Sequence, residues 1–402
     1  MKRQISLFVF VFLLITGSLA AQGITVSGIL DSSVSLRAGA ADSPPFSYGF
    51  EEYANLRFQS KIKDRASVYG AVNLIAAAGD YASAIKLAAD SQSNLSAYTG
   101  GENFIAVIEL ERLYFRLNFE AANFDGGLFR LPFGYGQVWG PTDFLNPKNP
   151  LKPDARLRAI LGAALSYYPS DELKILGFYA APRDVFSGEG KGSRVGISMD
   201  KHSQKVSIQA LYSFETPDVN SDNGIHRAGF SLKTDLEAGI VIETLYTYNH
   251  DAGTAGLDGL SFSIGADYSF LDGNLIALAE YLYNGETSST ALGYGGSFSN
   301  NNYLYTSLTW RVNDYTNISA AVITGFDDIS FTPVITLNHD LFQGATLTIT
   351  AQAPMDRDLF SGNGNRGELG PVPPDKLQPL LPITGGRMGR YFDISAKLRL
   401  RF

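Results

Sequence analysis

The sequence predicts an all-β fold, a transmembrane antiparallel up-and-down β-barrel. Three observations predict it. Segments of about ten residues alternate apolar and polar side chains along nearly the whole chain. The connections between them are short and long in turn. Beyond the N-terminus, no stretch approaches the ~20 consecutive apolar residues that a spanning helix needs.

The N-terminus differs in character from the rest of the chain. Lys2 and Arg3 give a positive start, residues 5–15 are apolar, and Ser18, Leu19 and Ala20 are small or apolar before a cleavage point. Residues 1–20 therefore read as a signal peptide, and the apolar run is short for a membrane anchor. Residues 21–402 then form a single barrel domain. The chain has no Cys, which excludes a lipid-modified cysteine, disulfides and thiolate metal sites.

Alternation defines the strands. Residues 49–62 set Phe50, Ala54, Leu56, Phe58 and Ile62 against Glu51, Tyr53, Asn55, Arg57, Gln59 and Lys61. Residues 204–214 set Val206, Ile208, Ala210, Tyr212 and Phe214 against Ser207, Gln209, Leu211 and Ser213. The same pattern fills 261–270 (Phe262, Ile264, Ala266, Tyr268, Phe270 outward) and 345–352 (Ala345, Leu347, Ile349, Ala351 outward). With 41 Gly, 21 Tyr and 26 Phe, the composition suits strands, tight turns and aromatic girdles.

Short connections fall at 63–65, 120–123, 169–172, 202–204, 236–239, 271–274 and 313–316. Longer ones fall at 38–48, 79–101, 133–159, 182–192, 215–225, 250–259, 285–300 and 354–389. Two places break the rhythm: a tight connection near Asp327 and Asp328, and a longer turn over 338–344. Short periplasmic turns and long extracellular loops are the arrangement of outer-membrane barrels. The count is about eighteen strands, an even number that puts both termini on the periplasmic side. Roughly sixteen is the other count, because 79–101 and 326–345 read two ways.

The last strand carries the most specific signal. Phe392, Ile394, Ala396, Leu398, Leu400 and Phe402 share one face; Asp393, Ser395, Lys397, Arg399 and Arg401 share the other. Ending on an aromatic, this segment resembles the C-terminal assembly signal of bacterial outer-membrane β-barrels. With the N-terminal signal and the strand pattern, the chain resembles a porin, general or substrate-selective. The stretch 139–147 is also similar to a segment of porin-like barrels of Gram-negative bacteria and spirochaetes. The resemblance implies passive diffusion of small hydrophilic solutes or ions. It implies outer-membrane lipid and the barrel-assembly machinery as partners, and it allows a homotrimer. It implies no cofactor and no metal. A second reading keeps the barrel as a stage whose long loops bind a partner, as in an adhesin.

The register places charges. Inward bases are Arg57, Lys61, Arg112, Arg116, Arg130, Lys174, Arg194, Arg227, Lys233, Arg311, Lys397, Arg399 and Arg401; inward acids are Glu51, Asp200, Glu243, Asp267, Glu280 and Asp393. A charge at the lipid midplane costs ~2–4 kcal/mol, so these side chains belong in the lumen. The whole chain carries a net charge of −8, which argues against a nucleic-acid partner. Its lumen nevertheless reads as basic, and a basic lumen favours anions. Arg57, Arg112, Arg116, Arg130, Arg194, Arg227 and Arg311 are the pore-lining candidates.

Two long loops have character. In 133–159, Pro141, Pro147, Pro150 and Pro153 disfavour regular structure, while Trp139 and Phe144 are large apolar residues. This loop is expected to fold inward and narrow the pore, with Trp139, Asp143, Phe144, Arg156 and Arg158 as constriction candidates. In 354–389, Pro371, Pro373, Pro374, Pro379 and Pro382 with Arg357, Arg366 and Arg387 suggest a stiff, charged segment at the mouth. Asp218, Asn220 and Asp222 lack the Gly and Glu positions of a calcium loop and read as an Asx-rich hairpin. The scattered His202, His226, His250 and His339 share no metal spacing, and none is paired with a nucleophile. The chain is read as not an enzyme.

Overall fold

The computed structural model describes residues 23–39, 46–79, 81–82, 85–86, 96–101, 103–146, 159–182, 192–217, 223–249, 256–285, 301–327, 329–355 and 391–402. The signal segment, Arg156, Arg158, His250, the 218–222 hairpin tip and nearly all of the 354–389 loop lie outside them. The first strands are β1 (Thr25–Gly39), β2 (Phe46–Ile62), β3 (Ala66–Gly79), β4 (Ser96–Gly100), β5 (Phe104–Asn118) and β6 (Ala122–Phe129). Next come β7 (Ile160–Ser170), β8 (Leu173–Ala180), β9 (Arg194–His202), β10 (Val206–Glu215), β11 (Ile225–Asp235), β12 (Gly239–Asn249) and β13 (Leu260–Phe270). The last are β14 (Leu275–Asn284), β15 (Asn302–Asn313), β16 (Thr316–Gly325), β17 (Ser330–Phe342), β18 (Ala345–Gln352) and β19 (Tyr391–Arg401).

All of them belong to one 19-stranded sheet that closes where β1 pairs with both β2 and β19. Every ladder is antiparallel. One member, β4, pairs only with β5, beside β5's other partner β3, so eighteen strands form the closed wall. Pairing of β1 with β19 joins the two ends of the sheet, so neither end presents an unpaired strand to lipid, where an unpaired N–H or C=O costs several kcal/mol. The expected count of eighteen is borne out, and strand pairing settles the ambiguity over 326–345. On the long-loop side, β16 passes to β17 by a tight connection, with Gly325 paired to Ser330. The longer turn expected over 338–344 is instead strand up to Phe342, because Asn338, His339 and Asp340 pair with Thr348, Leu347 and Thr346.

The two faces separate as the alternation requires. Leu36, Phe50, Ile108, Ile197, Ile264, Trp310 and Ile394 are exposed on the outside, whereas Ser35, Asn55, Ser198, Ser263 and Asp393 are buried on the inside. An outward apolar band needs no protein cover because lipid supplies it. Outward Tyr246 and Tyr248 near the long loops, and Tyr268, Phe270 and Trp310 near the turns, stand at the two ends of this band.

The closing seam has a local device. Gly28 N donates to Phe402 O (2.8 Å) and Phe402 N to Gly28 O (3.1 Å), and the terminal phenyl ring lies over Gly28. A Cβ at Gly28 would sit 2.8 Å from Phe402 Cε2 and 2.9 Å from the Asn55 carbonyl oxygen. The ring has some freedom to turn away, but the backbone oxygen does not. Gly28→Val should therefore destabilise the seam by about 1–3 kcal/mol, the usual cost of overpacking. The expected readout is a lower temperature for loss of the folded, faster-migrating band on a gel. An unchanged transition would remove this role from Gly28.

Candidate functional site

The inner wall carries more acid than the sequence reading allowed. Arg399 makes a bidentate pair with Asp31 (both 2.8 Å), and Arg116 with Asp125 (2.6 and 2.9 Å). Arg37 meets Asp393 at 3.3 Å and Lys174 meets Asp200 at 3.7 Å. Two clusters set one carboxylate between two guanidiniums. Glu111 binds Arg112 (3.1 Å) and Arg130 (2.8 Å), and Glu215 binds Arg194 (3.4 Å) and Arg227 (2.7 Å). Asp31, Glu109, Glu111, Asp125 and Glu215 were absent from the inward acids read from the sequence.

Glu111 faces inward because of a bulge. The β3–β5 register shifts between Ala71 and Val72, which face Arg112 and Leu110 and leave Glu111 as the extra residue. A bulge gives two successive residues the same side, so Glu111 and Arg112 both enter the lumen. Glu111 also accepts from Asn55 Nδ2, and Asn73 Nδ2 donates to Glu109 (2.9 Å). Arg57 bonds the side-chain oxygen of Asn55 (2.5 Å).

Residues 131–146 leave the wall at the end of β6 and run along the inner surface. Consecutive backbone amides from Gly134 to Trp139 donate to wall side chains. Gly134 N bonds Gln209 Oε1 (2.7 Å), while Tyr135 N and Gly136 N bond Glu243 Oε1. Gln137 N (3.2 Å), Val138 N (3.0 Å) and Trp139 N (2.9 Å) bond the Glu280 carboxylate. Thr142 Oγ1 adds a bond to Glu243 Oε2 (2.8 Å). Successive N–H groups converging on one anion make a strong, oriented contact. Gly134 makes the approach possible: its φ is +77°, and a Cβ there would lie 2.7 Å from Glu243 Cδ.

Apolar packing completes the anchorage. Phe144 stacks on Phe133 (5.9 Å, 10° between planes), and Phe133 meets Phe178 of β8 at 5.3 Å. Leu176, Leu211 and Leu245 of the wall join them. Trp139 is fully buried against Leu282, Tyr303 and Ile323, with Tyr305 edge-on at 6.3 Å. Asp143 Oδ1 accepts from Phe133 N (3.3 Å), and Asn146 Oδ1 from Leu131 N (2.9 Å), so these side chains hold the loop's own turn. Burial pushes the Tyr135 phenol of this loop up to about 12, with Asp200 and Glu243 adding to the shift. It therefore stays protonated at any physiological pH.

The sequence candidates thus separate into groups. Arg112, Arg116 and Arg130 lie inside, each on a carboxylate; Arg57 is inside beside Asn55. Arg194 and Arg227 are buried near the long-loop rim, Arg227 lying 5.3 Å from the centre of the Phe144 ring. Arg311 is exposed at the turn end of β15. Trp139, Asp143 and Phe144 are buried parts of the inward segment. Sequence reading missed the anchoring roles of Glu243 and Glu280. Their cross-strand neighbours, Ser231 and Ser263 for one and Gly265 and Tyr305 for the other, include no base, and that was the available signal.

Solved structures share this architecture. Acinetobacter baumannii OccAB4 superimposes with a TM-score of 0.56 at 11% identity, over 95% of this chain and 98% of that one. Pseudomonas aeruginosa OccK7 (OpdD) gives 0.56 at 9% identity, over 94% and 98%. The outer membrane protein OprD from Pseudomonas aeruginosa gives 0.55 at 8% identity, over 95% and 94%. No family model and no curated protein sequence matches the chain. The chain has the closed eighteen-strand outer-membrane barrel fold of the Occ and OprD proteins.

Proposed function

We propose that this protein is an outer-membrane diffusion channel through which small hydrophilic solutes or ions pass passively. The observation that carries this reading is the seating of residues 131–146. They cover the apolar part of the inner wall, from Leu176 on β8 to Ile323 on β16. The wall of β17, β18, β19 and β1 beyond them remains polar. Thr336, Asn338, Thr348, Thr350 and Ser395 stand there with Lys397 and Arg399, a surface suited to water and hydrated solutes. Trp139, Asp143 and Phe144 act as the body of the constriction, and Arg57, Arg112, Arg116, Arg130 and Arg311 as charged lining.

The selectivity is a weak lean toward anions. Ion pairing cancels most of the basic field, and the lean rests on the two guanidiniums that meet Glu111 and the two that meet Glu215. Planar-bilayer recording of the purified protein tests both parts. Stable conductance steps are expected, with a reversal potential in a KCl gradient favouring Cl⁻ by no more than a few-fold. Absence of steps would overturn the channel reading; steps favouring K⁺ would overturn the lean alone.

A further inference from the structure

Under residues 131–146, apolar inward side chains are packed away from water, and the buried acids Glu243 and Glu280 are satisfied by the loop's own amides. A second apolar patch lies outside that loop's reach. Ile75 faces Val107 and Ala77 faces Ile105 across β3 and β5. All four point inward, because their strand neighbours Leu74, Phe104 and Ile108 are exposed on the outside. They are nonetheless buried, Ile105 at 0% and Ala77 at 1% exposure.

The cover comes from the chain just after β3, where residues 81–82 and 85–86 are helical. Ala82 is fully buried on the patch, with Tyr81, Ile85 and Tyr53 packed around it. Tyr81 extends over β1 and β2. Its ring carbon Cδ2 is 2.8 Å from where a Cβ of Gly49 would be, and its hydroxyl is bonded to Ser35. Ser35 is an inward residue whose register partners are Gly49 and Ser395. The segment therefore projects into the lumen from the flank of β3. Trp139 marks the other flank, against β15 and β16. The polar wall of β17, β18, β19 and β1 lies between the two.

We infer that residues 81–82 and 85–86 form a second constriction element, and that Tyr81 is a specificity-determining residue on its edge of the aperture. This deepens the diffusion-channel reading and rests on it. Solutes pass between the Tyr81 flank and the Trp139 flank, along the hydroxyl- and amide-bearing wall. Two inserts from separate parts of the chain set the width, so neither alone defines the size limit.

The experiment uses the full-length protein in planar bilayers, with polyethylene glycols of graded size to find the largest that enters. Tyr81→Ala removes the ring while leaving Ala82 seated. Ala82→Glu forces a carboxylate into the apolar patch and lifts the segment; Ala82→Ser is the control. The first two variants should conduct about 1.5-fold more or better and admit larger glycols, since width sets conduction; the control should match the wild type. Should Ala82→Glu fail to fold, Tyr81→Ala decides alone. A conducting wild type whose folded Tyr81→Ala variant keeps both the conductance and the glycol limit overturns this inference and leaves the channel reading standing. A wild type without conductance overturns both.

Discussion

Replacing Glu280 with alanine should turn a quiet channel into a larger and noisier one, and the Glu243→Ala, Glu280→Ala double variant should do so more strongly. Glu280 accepts three backbone amides of the inward segment, and Glu243 accepts amides and the Thr142 hydroxyl. A hydrogen bond to a charged group contributes ~1.5–3 kcal/mol net. Water can satisfy the freed amides once the segment moves, so the loss is less than the sum of the bonds. A net change of about 3 kcal/mol moves the seated-to-unseated ratio by roughly a hundredfold. The antiparallel wall is untouched, so heat-modifiable gel mobility should stay near that of the wild type. Single-channel conductance and open-channel noise are the measurements. A folded double variant with wild-type values of both would show that packing of Trp139, Phe133 and Phe144 holds the segment without the carboxylates.

The second large effect concerns charge. The Arg112→Ala, Arg130→Ala double variant removes both guanidiniums from Glu111 and leaves Asn55 as its donor, with Glu109 nearby. The local charge becomes more negative, and the reversal potential should move toward K⁺. The Arg116→Ala single variant frees Asp125 and should shift it the same way by less, because Arg116 is the more water-exposed partner. Screening provides an internal check. The Debye length falls from about 10 Å at 0.1 M to about 3 Å at 1 M, so the shift should be large in dilute salt and small in concentrated salt. An unmoved reversal potential in dilute salt would place this cluster away from the conduction path.

The strands were legible because lipid outside and water inside impose opposite demands on alternate residues. That is why 49–62, 204–214, 261–270 and 345–352 carried their register openly. Turn positions were legible for the same reason, except at 338–344, where polar residues near the periplasmic end looked like a turn and were strand. The charge balance was only half legible. The phase break at Glu111 and Arg112, two charged residues flanked by Leu110 and Leu113, marked a bulge that single-phase alternation passes over. The anchorage of the inward segment was not legible by any local rule, since its donors and the Glu280 acceptor are more than a hundred residues apart. Glycines at 134, 136 and 140 beside Trp139, and inward acids with no basic neighbour, were its traces. The segment after β3 left a different trace in the inward apolar pairs Ile75–Val107 and Ala77–Ile105.

The five-residue strand β4 has a consequence for the shape of the wall itself. Where the chain turns inward after Phe129, β6 stops after pairing Leu113 to Asn118, and the upper half of β5 loses its partner on that side. Ser96–Gly100 takes the vacant place opposite Ile105–Glu109. It acts as a splint, set from the preceding loop, over a notch that the inward detour cuts in the rim. The rim therefore steps down from the fifteen residues of β5 to the eight of β6, and β4 keeps the outer half of β5 hydrogen-bonded across that step.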